Sequence, residues 1–596
     1  MKQVQGKLDK LLYIGSGVIG VCQFYIWQLS APINPFTFLG CFAVLVLCYK
    51  QLLYKLPTKR ERLICGCFSV LLSLVITEGN NVVFNNDIFG SYRDNYIQPL
   101  VVTDLLECVC YVPQIFLLIY NLYLLTKKFS FEISTPELTT KKRIGIWFGC
   151  SAFIMACWLP YLFAFYPGVI VGDSVASINQ AMGISAWSNH YPVIYTLFIN
   201  GFMKLGELLG SYNIGAFLYT CTQFLLMAVT AGYCGLWLVE KGTPRILVLL
   251  TVVFFGGSSV FAVYAITMWK DPLFTAQLLL FSLLLADIGI EKGSNLNTIK
   301  QIVQLALISL FVIFWRNNGI YLVCAAMILL AIVYRKRFLR AGIGMLLVIF
   351  VSMTVQGPIY DRLGIEKDTV SESLAIPLQQ VASVVAEDVE LTPEQQNVLF
   401  QILPEEDWKA SYKPTIADPL KFHANFDQHY LAQHVGDFLR VWAELLFPHF
   451  GTYVESYLME TMGFWQIGIK NGNSYVYYYV YEDNAFDLHR VDWFERLWGV
   501  SAEENLSGVV DFLSTGGVVW LVLLCAVLLW MQKKYALMLG MMPAILLWAT
   551  VMIATPIAFS MRYILLLAYG MPIFAILPFM KENELIENKK HQGDQL

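Results

Sequence analysis

The chain has 596 residues, of which 57% are hydrophobic, 15% aromatic and only 14% charged, with a formal net charge of −4. Soluble domains carry about 25% charged residues, so this composition excludes a soluble enzyme, a disordered chain and a basic nucleic-acid binder. Apolar residues come in blocks of about 20, the length that crosses a bilayer core as a helix; the chain reads as an all-α polytopic membrane protein.

Fifteen apolar segments follow in order, near 11–29, 35–54, 62–78, 99–126, 144–165, 191–211, 213–238, 246–266, 270–290, 301–315, 318–334, 341–357, 510–531, 535–554 and 562–580. The first, behind Lys2, Lys7 and Lys10, reads as an uncleaved helix because a second follows almost at once. Eight clusters hold 26 of the 40 Lys and Arg, from Lys2 to Lys590, and mark cytoplasmic loops. Two apolar segments separate successive clusters, except between Arg143 and Lys241, where there are three. Two cytoplasmic loops are joined by an even number of crossings, so one of those three does not cross. Segment 191–211 is the weak one, interrupted by Gly201, Lys204, Gly206, Glu207 and Gly210. It is predicted to be a juxtamembrane or re-entrant helix on the outer side, which leaves about 14 spans and both termini inside.

The predicted organisation is N-terminal transmembrane helices over 1–143, a transmembrane core over 144–357 whose outer loop 166–211 carries juxtamembrane helices, an extracytoplasmic domain over 358–509, C-terminal transmembrane helices over 510–580 and a cytoplasmic tail over 581–596. The 358–509 segment has 24 Asp and Glu against nine Lys and Arg, and none of the 13 cysteines, so disulfides do not staple it. Within it Ser371–Val389 reads as a helix kinked at Pro377. Thr392-Pro393-Glu394-Gln395 reads as a helix start with Pro at its first position. Residues 427–446 form an amphipathic helix, and another helix covers 450–462. The row Tyr475–Tyr481 suits the bilayer interface, where Tyr is enriched, better than sugar stacking. His423, His429 and His434 are spaced unlike the helical i, i+4 pair of zinc motifs. The C-x-C pairs Cys65/Cys67 and Cys108/Cys110 read as small apolar packing.

The chemistry is predicted at the outer face. Asp173 follows Gly172 on a turn leading into a short helix that carries Ser174, Ser177 and Gln180, and His190-Tyr191-Pro192 closes the loop. Asp173 is an N-cap or, if a hydroxyl reaches it, a general base. Trp269-Lys270-Asp271-Pro272, Arg316-Asn317-Asn318-Gly319 and Arg562-Tyr563 occupy later outer turns. Three cations at one membrane edge, Lys270, Arg316 and Arg562, run against the positive-inside rule and suit a lipid phosphate; each taken singly also suits a headgroup contact or a helix-fixing ion pair.

The pattern Gly172-Asp173-Ser174…Gln180…Gly183…His190-Tyr191-Pro192, with Trp269-Lys270-Asp271-Pro272 and Arg316-Asn317-Asn318-Gly319, resembles bacterial integral-membrane glycosyltransferases of the GT-C superfamily. The likeness covers about 144–580 and is nearest to a little-characterised branch with a large outer insertion, through Ser371–Gln380 and Asp418-Pro419-Leu420-Lys421. It implies a GT-C-like bundle and a polyprenyl-phosphate sugar donor. It further implies an extracytoplasmic acceptor (an envelope glycan, a lipid or a protein) and inverting transfer in a bacterial cell membrane. By the same likeness Asp173 is the catalytic or metal-linked carboxylate, and Asp271 the second acidic residue. Arg316 and Arg562 correspond to the family cations that hold the donor phosphate; from its place at the same edge Lys270 is expected to join them, and His190, Ser174 and Gln180 are expected to support the site or the acceptor. No cofactor is implied beyond a divalent cation, should Asp173 and Asp271 meet. Relatives carry paired acidic residues in the first loop, where Ser174 follows Asp173 here, and their His-Pro motif is split by Tyr191. A multi-pass transporter or flippase and a membrane scaffold are the competing classes.

Overall fold

The computed structural model describes residues 56–134, 136–467, 476–502, 506, 514–555 and 557–581. The segments predicted to span at 11–29 and 35–54, the turn at 471–473, Tyr475 and the tail beyond 581 lie outside them. The described residues are helical, with only two-residue strands: β1 (Val82–Val83) pairs antiparallel with β2 (Tyr96–Ile97), and β3 (Phe131–Glu132) pairs parallel with β4 (Met580–Lys581).

Among the described residues, seven helices are long and apolar enough to cross a membrane: α1 (Lys59–Asn80), α2 (Val102–Lys128), α3 (Thr140–Ala164), α6 (Tyr212–Glu240), α9 (Lys270–Ile290), α12 (Leu339–Arg362) and α20 (Tyr535–Ile553). Two bent pairs raise the number to nine: α7 (Arg245–Gly257) with α8 (Ser259–Ile266), and α21 (Met561–Tyr569) with α22 (Met571–Phe579). Three further apolar helices, α10 (Ile299–Trp315), α11 (Gly319–Tyr334) and α19 (Thr515–Met531), are 16 or 17 residues long. The described residues therefore form an all-α protein with seven to nine candidate spans.

The segment that the charge parity singled out forms α5 (Val193–Leu208), of 16 residues. Unlike α11, which has the same length and no charged residue, it carries Lys204 and Glu207, paired at 2.9 Å on its exposed side. It turns back against α6, where the glycines matter: a Cβ on Gly206 would lie 2.6 Å from the Gly215 backbone. Larger residues would push the two helices apart.

The acidic segment after α12 has a core of its own, including Leu378, Val381, Leu399, Trp408, Phe438 and Tyr453. Two predicted helices are broken in it. The first divides at Leu374 into Val370–Ser373 and Ala375–Ala386, so that Pro377 falls in the first turn of the second piece rather than at a kink. The amphipathic stretch divides at His434 into Gln428–Gln433 and Val435–Leu446, while Leu431, Phe438, Val441 and Leu445 stay buried as the periodicity requires. Thr392 caps the helix Pro393–Ile402 in a reciprocal capping box with Gln395. The segment is tied to the bundle by a bridge between Ile416 and Ile557 and by the Thr415 hydroxyl, which donates to the Ile88 carbonyl at 2.7 Å. His429 contacts Gln433 and His434 stacks on Tyr430, so these histidines are spread over separate local contacts.

Candidate functional site

The loop after α3 is threaded between two other strands of chain. Val169 bridges Thr267 in parallel, and Ile170 bridges Val480. Gly168 makes this possible at φ +133°, where a Cβ would strike the Thr220 hydroxyl and the Ile266 carbonyl. The tyrosine row is split here: Tyr477 meets Trp269 edge-on at 5.8 Å and Val480 is buried, while Tyr479 and Tyr481 stay exposed. The loop leads directly into α4 (Gly172–Ala181), with Asp173 in its first turn, where a carboxylate opposes the helix dipole.

Asp173 opens into a cavity of about 480 Å³. Lys270, Asp271, Arg316 and Arg562 line the same cavity, with His190 and Tyr191 beside them. The loop after α3, the start of α9, the α10–α11 turn and the start of α21 are thus brought to one place. Two of the three cations are paired. Arg562 donates to Asp173 at 2.6 Å and to the Tyr563 hydroxyl at 3.0 Å. Arg316 donates to Asp271 at 2.5 Å, with 12% and 2% of the two side chains exposed. The Tyr563 ring lies between the guanidinium groups of Arg562 and Arg316, at 4.9 and 5.2 Å. Lys270 differs: its ammonium donates to the His190 carbonyl at 3.2 Å and lies 5.6 Å from the Tyr191 ring, with no carboxylate within salt-bridge distance among the described residues.

Nearly half of the Asp173 side chain, 49%, stays open, and that surface is cavity wall. Enclosure works to raise its pKa, but the charge and hydrogen bond of Arg562, aided by Lys270 and His190, outweigh it and hold the carboxyl below the ordinary carboxylate value. Tyr191 moves the other way: burial first, then the Asp173 charge, keeps its hydroxyl protonated.

Two polar residues of α4 that were expected at the site, Ser174 and Gln180, serve the scaffold. Ser174 is fully buried, donates to the Met268 carbonyl at 2.7 Å and does not line the cavity. Gln180 is buried too, and its amide grips Ser188 and the Tyr191 carbonyl. It thereby fixes the stretch that carries His190. Asn317 adds a 2.6 Å bond to the Asn189 carbonyl.

The far wall comes from the acidic segment and was missed as a site. Glu366, Asp368, Glu372 and Asp418 line it. Lys421, 1% exposed, binds Glu372 at 3.0 Å and Asp418 at 2.9 Å. Burial works against its charge, yet the two carboxylates outweigh burial and raise its pKa. The Asp-x-x-Lys spacing of 418 and 421, one helical turn apart, was the available signal. The cavity is therefore polarised in net charge: Lys270, Arg316 and Arg562 outnumber Asp173 and Asp271 on the bundle side, and Glu366, Asp368, Glu372 and Asp418 outnumber Lys367 on the other.

The residues present do not suit a divalent cation. Asp173 and Asp271 are each claimed by an arginine instead of facing one another, and no group of three His, Cys, Asp or Glu is placed to hold a metal among the described residues.

Residues 183–592 match the family described as "Family of unknown function (DUF6020)", and the chain belongs to it. No curated protein and no solved structure matches the chain.

Proposed function

We propose that the protein is a membrane glycosyltransferase that moves a sugar from a polyprenyl-phosphate donor to an extracytoplasmic acceptor: an envelope glycan, a lipid or a protein. The observation that carries this reading is the convergence of Lys270, Arg316 and Arg562 with the Asp173 carboxylate on one cavity. A phosphodiester carries one negative charge, and Lys270 is the cation free to meet it. As the glycosidic bond breaks the leaving phosphate gains a second charge, and Arg562 and Arg316 stand beside it. Asp173 is the catalytic carboxylate next to the anomeric carbon, where a single displacement inverts the centre. No step runs through a metal.

In this reading the helices form a GT-C-like bundle of about 14 spans. The two bent pairs and the three short apolar helices each cross once, and the other two spans in that count are the ones expected from sequence near 11–29 and 35–54, outside the described residues. The protein sits in a bacterial cell membrane with both termini in the cytoplasm, and the cavity and the 358–509 domain outside.

The test compares wild type with Asp173→Asn in nanodiscs at matched folding. Each receives radiolabelled polyprenyl-phosphate sugars and a bacterial envelope extract. Aspartate-dependent transfer of label supports the proposal. Transfer retained in Asp173→Asn removes the residue from catalysis, and absence of transfer by wild type from every donor moves the reading to transport or scaffolding.

A further inference from the structure

His190 was predicted only to support the site, and Asp368 was not predicted at all. The backbone brings them together. Ser188 and Glu366 form a parallel bridge, reinforced by Asn189 donating to the Glu366 carbonyl at 2.7 Å and Glu366 donating to the Trp187 carbonyl at 2.8 Å. Past this bridge the chain turns at 189–190, and His190 meets Asp368, with Nδ1 3.0 Å from Oδ1. Both line the cavity, with 35% and 34% of their side chains exposed. With Nδ1–H donated to the carboxylate, Nε2 is left with its lone pair and has no hydrogen-bond partner among the described residues.

We infer that His190 Nε2 is the proton acceptor of the transfer and that Asp368 is its positioning residue, holding the ring and the reactive tautomer. The inference rests on the glycosyl-transfer reading above. Within that reading it moves the base role away from Asp173. Asp173 Oδ2 is engaged by Arg562 at 2.6 Å, and a carboxylate stabilised as an anion is a weak proton acceptor. Asp173 faces the charge developing at the anomeric carbon instead. The groups around His190 fit the assignment: Lys270 holds its carbonyl, Tyr191 packs edge-on at 4.8 Å, and Gln180 and Asn317 fix the loop on either side.

The step balances without a co-reactant. The acceptor oxygen forms a bond to the anomeric carbon. The bond from that carbon to the phosphate oxygen breaks, and its electron pair leaves with polyprenyl phosphate. The acceptor proton passes to Nε2, and the imidazolium, stabilised by Asp368, returns it to water in the cavity.

The experiment uses the full chain in nanodiscs with radiolabelled polyprenyl-phosphate hexoses and pentoses and envelope extract. His190→Ala is expected to lose about 10²–10⁴-fold in kcat with the donor KM little changed, and added imidazole restores transfer saturably. Asp368→Asn is expected to lose kcat and Asp368→Glu to recover part of it, a split that simple loss of folding does not produce. A His190→Ala enzyme with kcat within about threefold of wild type overturns the inference and leaves the glycosyltransferase reading intact. So does a loss that appears only in KM and ignores imidazole. A wild type that transfers no label overturns both.

Discussion

Arg562 and Asp173 are 389 positions apart in the chain, and their side chains meet at 2.6 Å. The guanidinium also lies over the Trp269 ring at 4.8 Å. One contact thus closes the loop after α3 onto the start of α21, with the α9 entry between them. Under the proposed function, a donor phosphate entering this cavity would compete with Asp173 for the same arginine, coupling donor binding to exposure of the Asp173 carboxylate.

The coupling predicts an asymmetry between variants at position 562. Arg562→Gln removes the phosphate contact and the stacking, and is expected to raise the donor KM at least tenfold, a loss of about 1.4 kcal/mol. Arg562→Lys keeps the charge but lacks the planar fork, and is expected to fall between the two. Donor titrations of transfer measure both. Equal KM values across the three proteins would place the phosphate elsewhere.

The same pair sets the acid behaviour of the site. The Asp173 carboxyl is held below its ordinary value of 3.8. Its folded pKa is depressed, so its contribution to stability is complete above that ordinary value and is lost as pH falls through the folded pKa. Between pH 5 and 8 Asp173 is expected to remain ionised, and wild type and Arg562→Gln are expected to differ in how far into acid this holds. Infrared titration of the carboxylate in isotope-labelled protein checks it, and a midpoint above 4 in wild type would contradict the pairing.

Arg316 and Asp271 form the more buried pair. Removing one partner of such a pair strands the other charge at a cost of about 3–5 kcal/mol, whereas replacing both with apolar groups is often tolerated. Asp271→Asn is therefore expected to lower the melting temperature markedly. Asp271→Leu combined with Arg316→Met is expected to recover folding but not transfer. Thermal unfolding in detergent, followed by the transfer assay, separates the two effects.

What the sequence made legible follows from the range of each signal. The charge parity and the interruptions at Gly201, Lys204, Gly206, Glu207 and Gly210 single out the segment that forms α5, because both are counts along the sequence. The gathering of Asp173, Lys270, Asp271, Arg316 and Arg562 was legible at the level of one membrane face. The pairing was not: nothing local tells Arg316 to take Asp271 and Arg562 to take Asp173. Asp368 was invisible because its partner is 178 positions away. The breaks at Leu374 and His434 were hidden for another reason. Apolar periodicity continues across both, so the pattern reads as one helix while the backbone makes two.

The acidic segment supplies a last prediction. Glu460 ends the helix Phe450–Glu460, is fully buried, and neither carboxylate oxygen has a hydrogen-bond partner among the described residues. Burial raises its pKa well above the ordinary 4.5; the Lys421 charge opposes this and the Asp418 charge adds to it. The unfolded chain releases this proton near 4.5, while the folded protein keeps it. Stability is thus unpenalised below that value and falls as pH rises toward the folded pKa, where the unfolded state binds fewer protons. Glu460→Gln keeps the shape and removes the titration. Its advantage in melting temperature over wild type is expected to be small near pH 4.5 and to grow steadily toward neutral and alkaline pH. A difference that stays constant over that range would mean that Glu460 is ionised in the folded protein, with Lys421 shared among three carboxylates rather than two.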